Sequence, residues 1–223
     1  MKFYQIIVCI LFSITAQSQF YTLEYQEKRN LEVPDNVRNN NPLLLQRVKE
    51  IVEEKRNTIY LTRVHTSPEC IYSAIDSIYY ESGFVNKQNI RTKHNIIEYF
   101  NKDKFIYIKD PYVGSNTYKV EPNNLNFKEY RDIKKRIGNF NCHKIDLEFL
   151  SDKFELWVTE ETKAKGGPLV FSFLPYLIVE VQSDKKSFRL VKIKASPSPT
   201  KLCHAQFENI KSYKDYENRK STR

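Results

Sequence analysis

Two Cys-His dipeptides, Cys142-His143 and Cys203-His204, carry the side chains of this sequence that are best suited to chemistry. A cysteine becomes an effective nucleophile when an imidazole within hydrogen-bond reach takes its proton. Neighbouring residues of a β-strand point to opposite faces, so an extended backbone would keep Cys142 away from His143. A dyad at Cys142 would then need a histidine from elsewhere in the fold: His65, His94 or His204.

Motifs for metal, phosphate or hydrolase chemistry are absent from the sequence. It has no C-x-x-C or H-x3-H spacing, Gly-rich phosphate loop, nucleophile elbow or HExxH motif. The best acidic pair is Glu160-Glu161, but adjacent residues rarely aim both carboxylates at one substrate, so a solvated loop is favoured. The sequence therefore predicts no catalytic, cofactor or metal residue, and the protein is predicted not to be an enzyme.

The first 18 residues have the pattern of a secretory signal peptide. Lys2 supplies the positive start, 6–14 is an apolar run too short to cross a bilayer, and cleavage is expected after Ala16 or Ser18. A buried N-terminal strand or helix is the alternative. No later run approaches the ~20 apolar residues of a membrane helix. The mature protein is therefore expected to be exported, to the periplasm or the extracellular space, without a transmembrane segment.

Cleavage would remove Cys9 and leave three cysteines, which allow at most one disulfide and one free thiol. The sequence does not decide between the pairings. Cys142–Cys203 would tie the C-terminal tail to the sheet, and Cys70–Cys142 would tie strands together. An unpaired cysteine is expected to be buried and inert.

The net charge of +9 is concentrated near the C-terminus. Residues 185–223 hold 11 Lys and Arg against 3 Asp and Glu, whereas residues 19–184 are balanced. A basic tail is typical of nucleic-acid binding, but an exported chain rarely meets nucleic acid, so a solvated face is favoured and no nucleic-acid partner is predicted. Adhesion to an anionic membrane or polysaccharide surface is the alternative.

Hydrophobic periodicity predicts a mainly β fold with one amphipathic helix. Asn41 caps a helix at about 42–56, in which Leu44, Val48, Ile51 and Val52 share a face expected to pack on a sheet. About ten short strands without alternating helices predict an antiparallel sheet or partial barrel. The expected strands are 19–26, 58–65, 70–80, 96–100, 105–108, 116–121, 136–149, 154–158, 169–173, 176–181 and 187–194.

Domain organisation is expected to be simple. A signal peptide at 1–18 precedes one β-rich domain at 19–195, and residues 196–223 form a linker, a short helix and a basic tail whose end is frayed.

The stretch 154–181 has three apolar runs rich in aromatic residues, separated by a Gly-Gly-Pro and a Leu-Pro step. Such residues could line the concave side of a curved sheet and hold an apolar ligand, or form the core beneath the helix. The candidate apolar cleft consists of Trp157, Phe171, Phe173 and Tyr176.

The same stretch resembles the signature region of the GLPGLI family, exported or envelope proteins of Bacteroidetes-type bacteria that are mostly of unknown function. Within about 58–194, the matching residues are Ile137, Gly138, Phe140, Cys142, Lys144, Trp157, Val158, Thr159, Glu161, Gly167, Pro168, Leu174, Pro175, Leu177 and Ile178. Phe173 and Tyr176 replace both glycines of the family's name motif, and Thr162-Lys163 replaces its Ile-Pro. A side chain cannot cheaply adopt the backbone freedom of a glycine, so the chain resembles a divergent member.

These observations together predict a non-enzymatic exported envelope protein that binds a small apolar ligand or another envelope protein. A Cys/His-dependent enzyme or metal-binding protein, and an adhesive basic tail, remain the alternatives.

Overall fold

One large β-sheet dominates the computed structural model, which describes residues 20–38, 42–80, 88–89, 96–196 and 207–221. The predicted signal peptide and Cys203-His204 lie outside these residues. Thirteen described strands form the sheet: β1 (Phe20–Arg29), β2 (Thr58–Thr66), β3 (Cys70–Tyr80), β4 (Gln88–Asn89), β5 (Glu98–Lys102), β6 (Phe105–Lys109), β7 (Thr117–Val120), β8 (Asn126–Ile137), β9 (Phe140–Phe149), β10 (Asp152–Thr159), β11 (Leu177–Gln182), β12 (Lys186–Ser196) and β13 (Ile210–Ser212).

The strand order is β13-β7-β6-β5-β3-β2-β1-β12-β11-β10-β9-β8, with β4 beside β3. Every described pair is antiparallel except β13 with β7, which is parallel. The sheet does not close into a barrel, and β8 and β13 are its outer strands. The prediction of a mainly β protein built on an antiparallel sheet is confirmed.

The core lies on one face of this sheet. Leu23 and Val64 from its middle, Ile106 and Tyr118 from one side and Ile145 from the other belong to the same buried cluster. Strands that far apart in the strand order share a core only if the sheet curves, so this face is concave.

The segment 166–176 fills the concave face. Gly166 donates its backbone N–H to the carbonyl of Tyr176 at 2.8 Å, and Tyr25 donates its hydroxyl to the carbonyl of Ile178 at 2.6 Å. Val170 and Phe171 are fully buried in the segment. The segment therefore acts as a plug that the strands surround.

Inside this plug the predicted strand 169–173 is wrong. Leu169–Phe173 forms a short 3-10 helix instead. Leu169 has φ +56, outside the extended region, so the backbone turns immediately after Pro168. The residues 169–173 are all apolar or small because several strands contact them at once. Their burial therefore does not alternate as it does in a strand with one buried face.

The predicted strand 136–149 is also divided. Gly138 has φ +57 and turns the chain between β8 and β9. Most of β8 was not predicted, because it is an outer strand with exposed residues on both faces and no alternation of apolar and polar residues.

Three described α-helices accompany the sheet: α1 (Asp35–Arg38), α2 (Pro42–Arg56) and α3 (Tyr213–Ser221). The bounds of α2 agree with the prediction, but Val52 is its one buried residue and Ile51 is exposed. Helix α1 lies in a stretch for which the sequence predicted neither a strand nor a helix. The end predicted to be frayed forms α3, in which Tyr216 is 1% exposed. None of the described helices is long and apolar enough to cross a membrane.

Candidate functional site

Polar and aromatic side chains meet where β8 faces the end of the plug. Cross-strand partners share a face, and Glu129 is paired with Ile145 and Phe127 with Leu147, both core residues. The concave face of β8 is therefore directed at the last residues of the plug. We call this set the rim site; it consists of Phe127, Glu129, Arg131, His143, Phe173 and Tyr176.

Glu129 is the centre of the polar half of the rim site. Its carboxylate accepts a hydrogen bond from the Tyr176 hydroxyl at 3.1 Å, and Arg131 Nε lies 2.7 Å from Oε1. His143 Nε2 lies 3.0 Å from the same oxygen, without the alignment of a hydrogen bond. The His143 ring meets the Tyr176 ring edge to face at 5.1 Å.

Arg131 extends this network towards the loop after β10. Its guanidinium donates a hydrogen bond to the Tyr176 hydroxyl at 2.8 Å and lies 3.3 Å from Glu160. Burial raises the pKa of Tyr176, and the neighbouring Glu129 raises it further. Tyr176 therefore stays neutral at physiological pH and can donate and accept hydrogen bonds.

The apolar half of the rim site is an aromatic pair. The Phe127 and Phe173 rings meet edge to face at 5.7 Å. Phe127 is 45% exposed, whereas Phe173 is half-buried against the core. An exposed aromatic ring beside ionic groups offers a ligand both apolar contact and hydrogen bonds.

A depression of about 290 Å³ lies beside the rim site, where β8 bulges away from β9 between Tyr130 and Lys134. Its lining residues are Arg131, Lys134, Asn141, Cys142, His143, Glu160 and Glu161. Glu161 accepts hydrogen bonds from the backbone and side chain of Asn141 at 3.0 and 2.6 Å, which lower its pKa. The predicted acidic pair therefore has different partners: Glu160 contacts Arg131, and Glu161 contacts Asn141.

Cys142 contributes a buried thiol to this depression. Its sulfur packs in a small cluster with Ile137, Trp157 and Val179, whereas His143 contacts Tyr176. The two neighbours thus make separate contacts, as the alternation of a strand requires. Burial, with Glu161 and Glu180 nearby, raises the pKa of the Cys142 thiol to about 11. The thiol is therefore protonated at neutral pH and is a poor nucleophile.

The four residues of the predicted apolar cleft are not gathered in one place. Phe173 and Tyr176 reach the rim site, while Phe171 is fully buried in the core. Trp157 lies in the small cluster of Cys142, donates its Nε1 hydrogen to Glu155 at 2.9 Å and has Lys135 Nζ 5.1 Å from its ring centroid. Since β10 alternates, Trp157 and the core residue Val158 point to opposite faces.

Several signature residues have structural positions around the plug. A Cβ atom on Gly167 would lie 2.3 Å from Ile178 Cδ1, so the chain passes too close to β11 for a side chain. Pro168, Leu174 and Leu177 are buried, and Pro175 is exposed at the bend before β11. Thr159 is buried at the end of β10 and accepts a hydrogen bond from the backbone N–H of Glu161 at 3.2 Å.

The cysteine pairings that involve Cys142 are wrong, because Cys142 is a free thiol. Cys70 is buried and is not a free thiol. Cys203, the third of the candidate disulfide cysteines, lies outside the described part of the chain. Among the described residues, no group of three or more His, Cys, Asp or Glu side chains is arranged to hold a metal ion.

Sequence reasoning missed Phe127, Glu129 and Arg131, because β8 itself was missed. The sequence offered no periodic signal there, because the face of Phe127, Glu129 and Arg131 mixes apolar, acidic and basic side chains. Their partners across the rim come from β9 and the plug, more than ten residues away in the chain. Pattern reading along one strand does not reveal such contacts.

Comparison with protein-family models found no match, and comparison with curated proteins found none either. Among solved structures, the fold is similar to PNGF-II in two crystal forms. In space group C2 the TM-score is 0.50 at 12% identity, and the match covers 91% of this chain and 32% of that one. In space group P21 the values are 0.51, 14%, 91% and 33%. The chain thus spans about a third of PNGF-II, and at this identity the likeness concerns the fold alone.

Proposed function

We propose that this protein is a non-enzymatic, exported binding protein of the cell envelope, and that the rim site is where it binds. The observation that carries the proposal is the exposed Phe127 ring, packed on Phe173 and adjoining the Glu129–Arg131–Tyr176 network. A ligand with an apolar portion and a polar group fits both halves of this site. It is a small, largely apolar molecule or a segment of another envelope protein.

The charges of the rim site favour binding over catalysis. Arg131 neutralises Glu129 and also contacts Glu160, so the ionic groups hold one another in place. A general acid or base needs a group whose proton is free to move at neutral pH. Tyr176 has a raised pKa and Cys142 is protonated, so neither provides a reactive anion there.

Export and family membership are parts of the same proposal. The charged start and short apolar run at 1–18 support export. The resemblance to the GLPGLI family supports an envelope role, and its signature residues occupy the plug and the strands around it. Tyr176, which replaces one of the family's glycines, supplies a hydroxyl to the rim site, so the divergence of this chain falls at the proposed site.

Native mass spectrometry of the protein isolated from an envelope fraction tests the proposal. We expect extra mass that leaves on denaturation, and its value identifies the ligand class. The Phe127→Ser variant should lose this mass, because it removes the exposed ring without opening the core. Val191→Ser is the matched control, since Val191 is 51% exposed on β12 and outside the rim site. Bare polypeptide, or equal retention by the two variants, would contradict the proposal.

The thiol-enzyme alternative makes a different prediction. It requires Cys142 to react with iodoacetamide at neutral pH faster in the folded protein than in an unfolded control. A metal-binding role would instead appear as metal mass in the native spectrum.

A further inference from the structure

A second group of charged side chains lies on the concave face, where β1 ends and β12 begins. Arg29 is paired with Lys186, and Glu27 with the buried Phe188. Phe154 of β10 also contacts Lys186. Phe154 is in register with Phe127 of the rim site through Leu147, but Lys186 lies on β12, four strands from β8 in the strand order.

Most charges in this group have a partner. Glu27 lies 2.8 Å from Arg29 Nε and accepts a hydrogen bond from Thr62 at 3.5 Å. Asp110 is fully buried; it lies 2.7 Å from Lys220 Nζ and accepts a 2.8 Å hydrogen bond from the Tyr216 hydroxyl. Each of these carboxylates is therefore neutralised by its own cation.

Lys186 is the exception. No carboxylate of the described residues forms an ion pair with it. Its ammonium lies 5.6 Å from the centroid of the Phe154 ring and 5.8 Å from that of Phe188. Asp152, the other carboxylate near it, is held by Lys185 at 2.5 Å. Lys186 thus adds an excess positive charge to a partly dehydrated site.

The electrostatics agree with this geometry. Burial lowers the pKa of Lys186; Arg29 and Lys220 lower it further, while Glu27 and Asp152 oppose the shift. Arg29 is the cross-strand partner of Lys186, and Lys220 is close enough to lower its pKa, while Glu27 and Asp110 are paired with Arg29 and Lys220. Leaving an ammonium unpaired in such a place is costly, and a bound anion would remove the cost.

We propose that Lys186, with Arg29 and Lys220 beside it, forms a binding site for a small oxyanion group, a phosphate or a carboxylate. Lys186 supplies the direct ion pair, because Arg29 and Lys220 are already paired with Glu27 and Asp110 and leave Lys186 as the excess positive charge. The half-buried state of Lys186 leaves its ammonium a route to solvent. The group could belong to a free ion or to the head of an amphiphile, and these sources are distinguished by the test.

Thermal unfolding of the mature protein provides the test, with inorganic phosphate and octanoate titrated against chloride at matched ionic strength. A ligand that binds only the folded state raises the melting temperature in a saturable way. A response to phosphate alone indicates a free oxyanion, and a response to octanoate at lower concentration indicates an amphiphile head group. No saturable response to either ligand would overturn the proposal.

Variants assign the response to this site. Lys186→Met should weaken the apparent affinity at least ~10-fold, because the ion pair is lost. Lys186→Arg should retain binding. Lys192→Met is the matched control, since Lys192 is exposed on the same strand. Without ligand, Lys186→Met should melt no lower than the parent, because an unpaired charge is removed. Equal responses from Lys186→Met and Lys192→Met would contradict the assignment.

Discussion

Gly167 lies where β11 passes the plug without room for a side chain. An alanine Cβ atom would approach Ile178 Cδ1, Cγ1 and Cβ at 2.3, 2.8 and 2.9 Å, and Ile178 is fully buried. We expect Gly167→Ala to cost about 1–3 kcal/mol in the free energy of unfolding, measured by urea denaturation. Ile178→Val removes the nearest atom. The double variant should therefore lose less free energy of unfolding than the two single variants lose together. Additive losses would contradict the steric explanation.

The thiol of Cys142 gives a second prediction at the scale of the residue. Its pKa rises from 9.0 to about 11, so at neutral pH the thiolate is about 100-fold scarcer than in an unperturbed cysteine. Iodoacetamide should therefore alkylate Cys142 at least ~10-fold more slowly in the folded protein than in the urea-unfolded protein. The rate should rise as pH rises towards the pKa. The Cys142→Ser variant identifies the signal, and faster labelling of the folded chain would favour the thiol-enzyme alternative.

Secondary-structure elements were predictable from the sequence where burial follows a simple period. Strands such as Thr58–Thr66 alternate buried and half-buried residues, and Pro42 marks the start of α2. The outer strand β8 lacks this pattern because solvent contacts both of its faces. The plug lacks it because strands surround it on several sides. The rim site depends on both elements, so its polar half could not be predicted from local pattern.

Helix α3 shows how the end of the chain stabilises the sheet. Tyr216 is 1% exposed, its ring lies 5.0 Å from that of Tyr118, and its hydroxyl donates to Asp110. We expect Tyr216→Ala to lower the free energy of unfolding by about 3–5 kcal/mol, because it opens a cavity and leaves Asp110 with one hydrogen-bond partner fewer. Tyr216→Phe should cost about 1–3 kcal/mol. Lys214→Ala, an exposed change on the same helix, should be nearly neutral in urea denaturation. Equal effects of the three changes would show that α3 is not docked.

Because Tyr216 anchors α3 in the core, the basic tail cannot be removed without disturbing the fold. Truncation after Lys194 would remove α3 together with its buried Tyr216, so lost adhesion would not separate charge from folding. Lys211 and Lys214 are exposed, whereas Lys220 is paired with Asp110. Replacing the two exposed lysines by glutamate therefore tests adhesion without disturbing the core.

At the scale of the whole molecule, local sequence patterns could not predict the order of the strands in the sheet. β1 lies between β2 and β12, so its partners are about 40 and 165 residues away along the chain. The outer strand β8 also carries five Lys and Arg residues among its 12, which discourages pairing with another sheet. The β8 edge of this open sheet is thus protected against association with another sheet.

Buried tyrosines make the whole fold sensitive to alkaline pH. Burial raises the pKa of Tyr25, Tyr99 and Tyr216 above the ordinary value of 10.0. Above about pH 10 these groups ionise in the unfolded chain but stay neutral in the folded one, so the folded state binds more protons. Stability is therefore complete below about pH 10 and falls as pH rises further, by up to ~1.4 kcal/mol per pH unit for each tyrosine.

Thermal melting between pH 8 and about pH 11, with tyrosinate absorbance recorded in parallel, measures this loss. Tyr99→Phe removes one titrating group and keeps the ring. The stability of this variant should therefore fall less steeply with rising pH than that of the parent. Lys186 opposes the trend, because its lowered pKa means that the folded state releases a proton first as pH rises. Lys186→Met should therefore show the steeper alkaline decline. Parallel curves for parent, Tyr99→Phe and Lys186→Met would mean that neither group titrates differently in the folded and unfolded states, contrary to the burial described here.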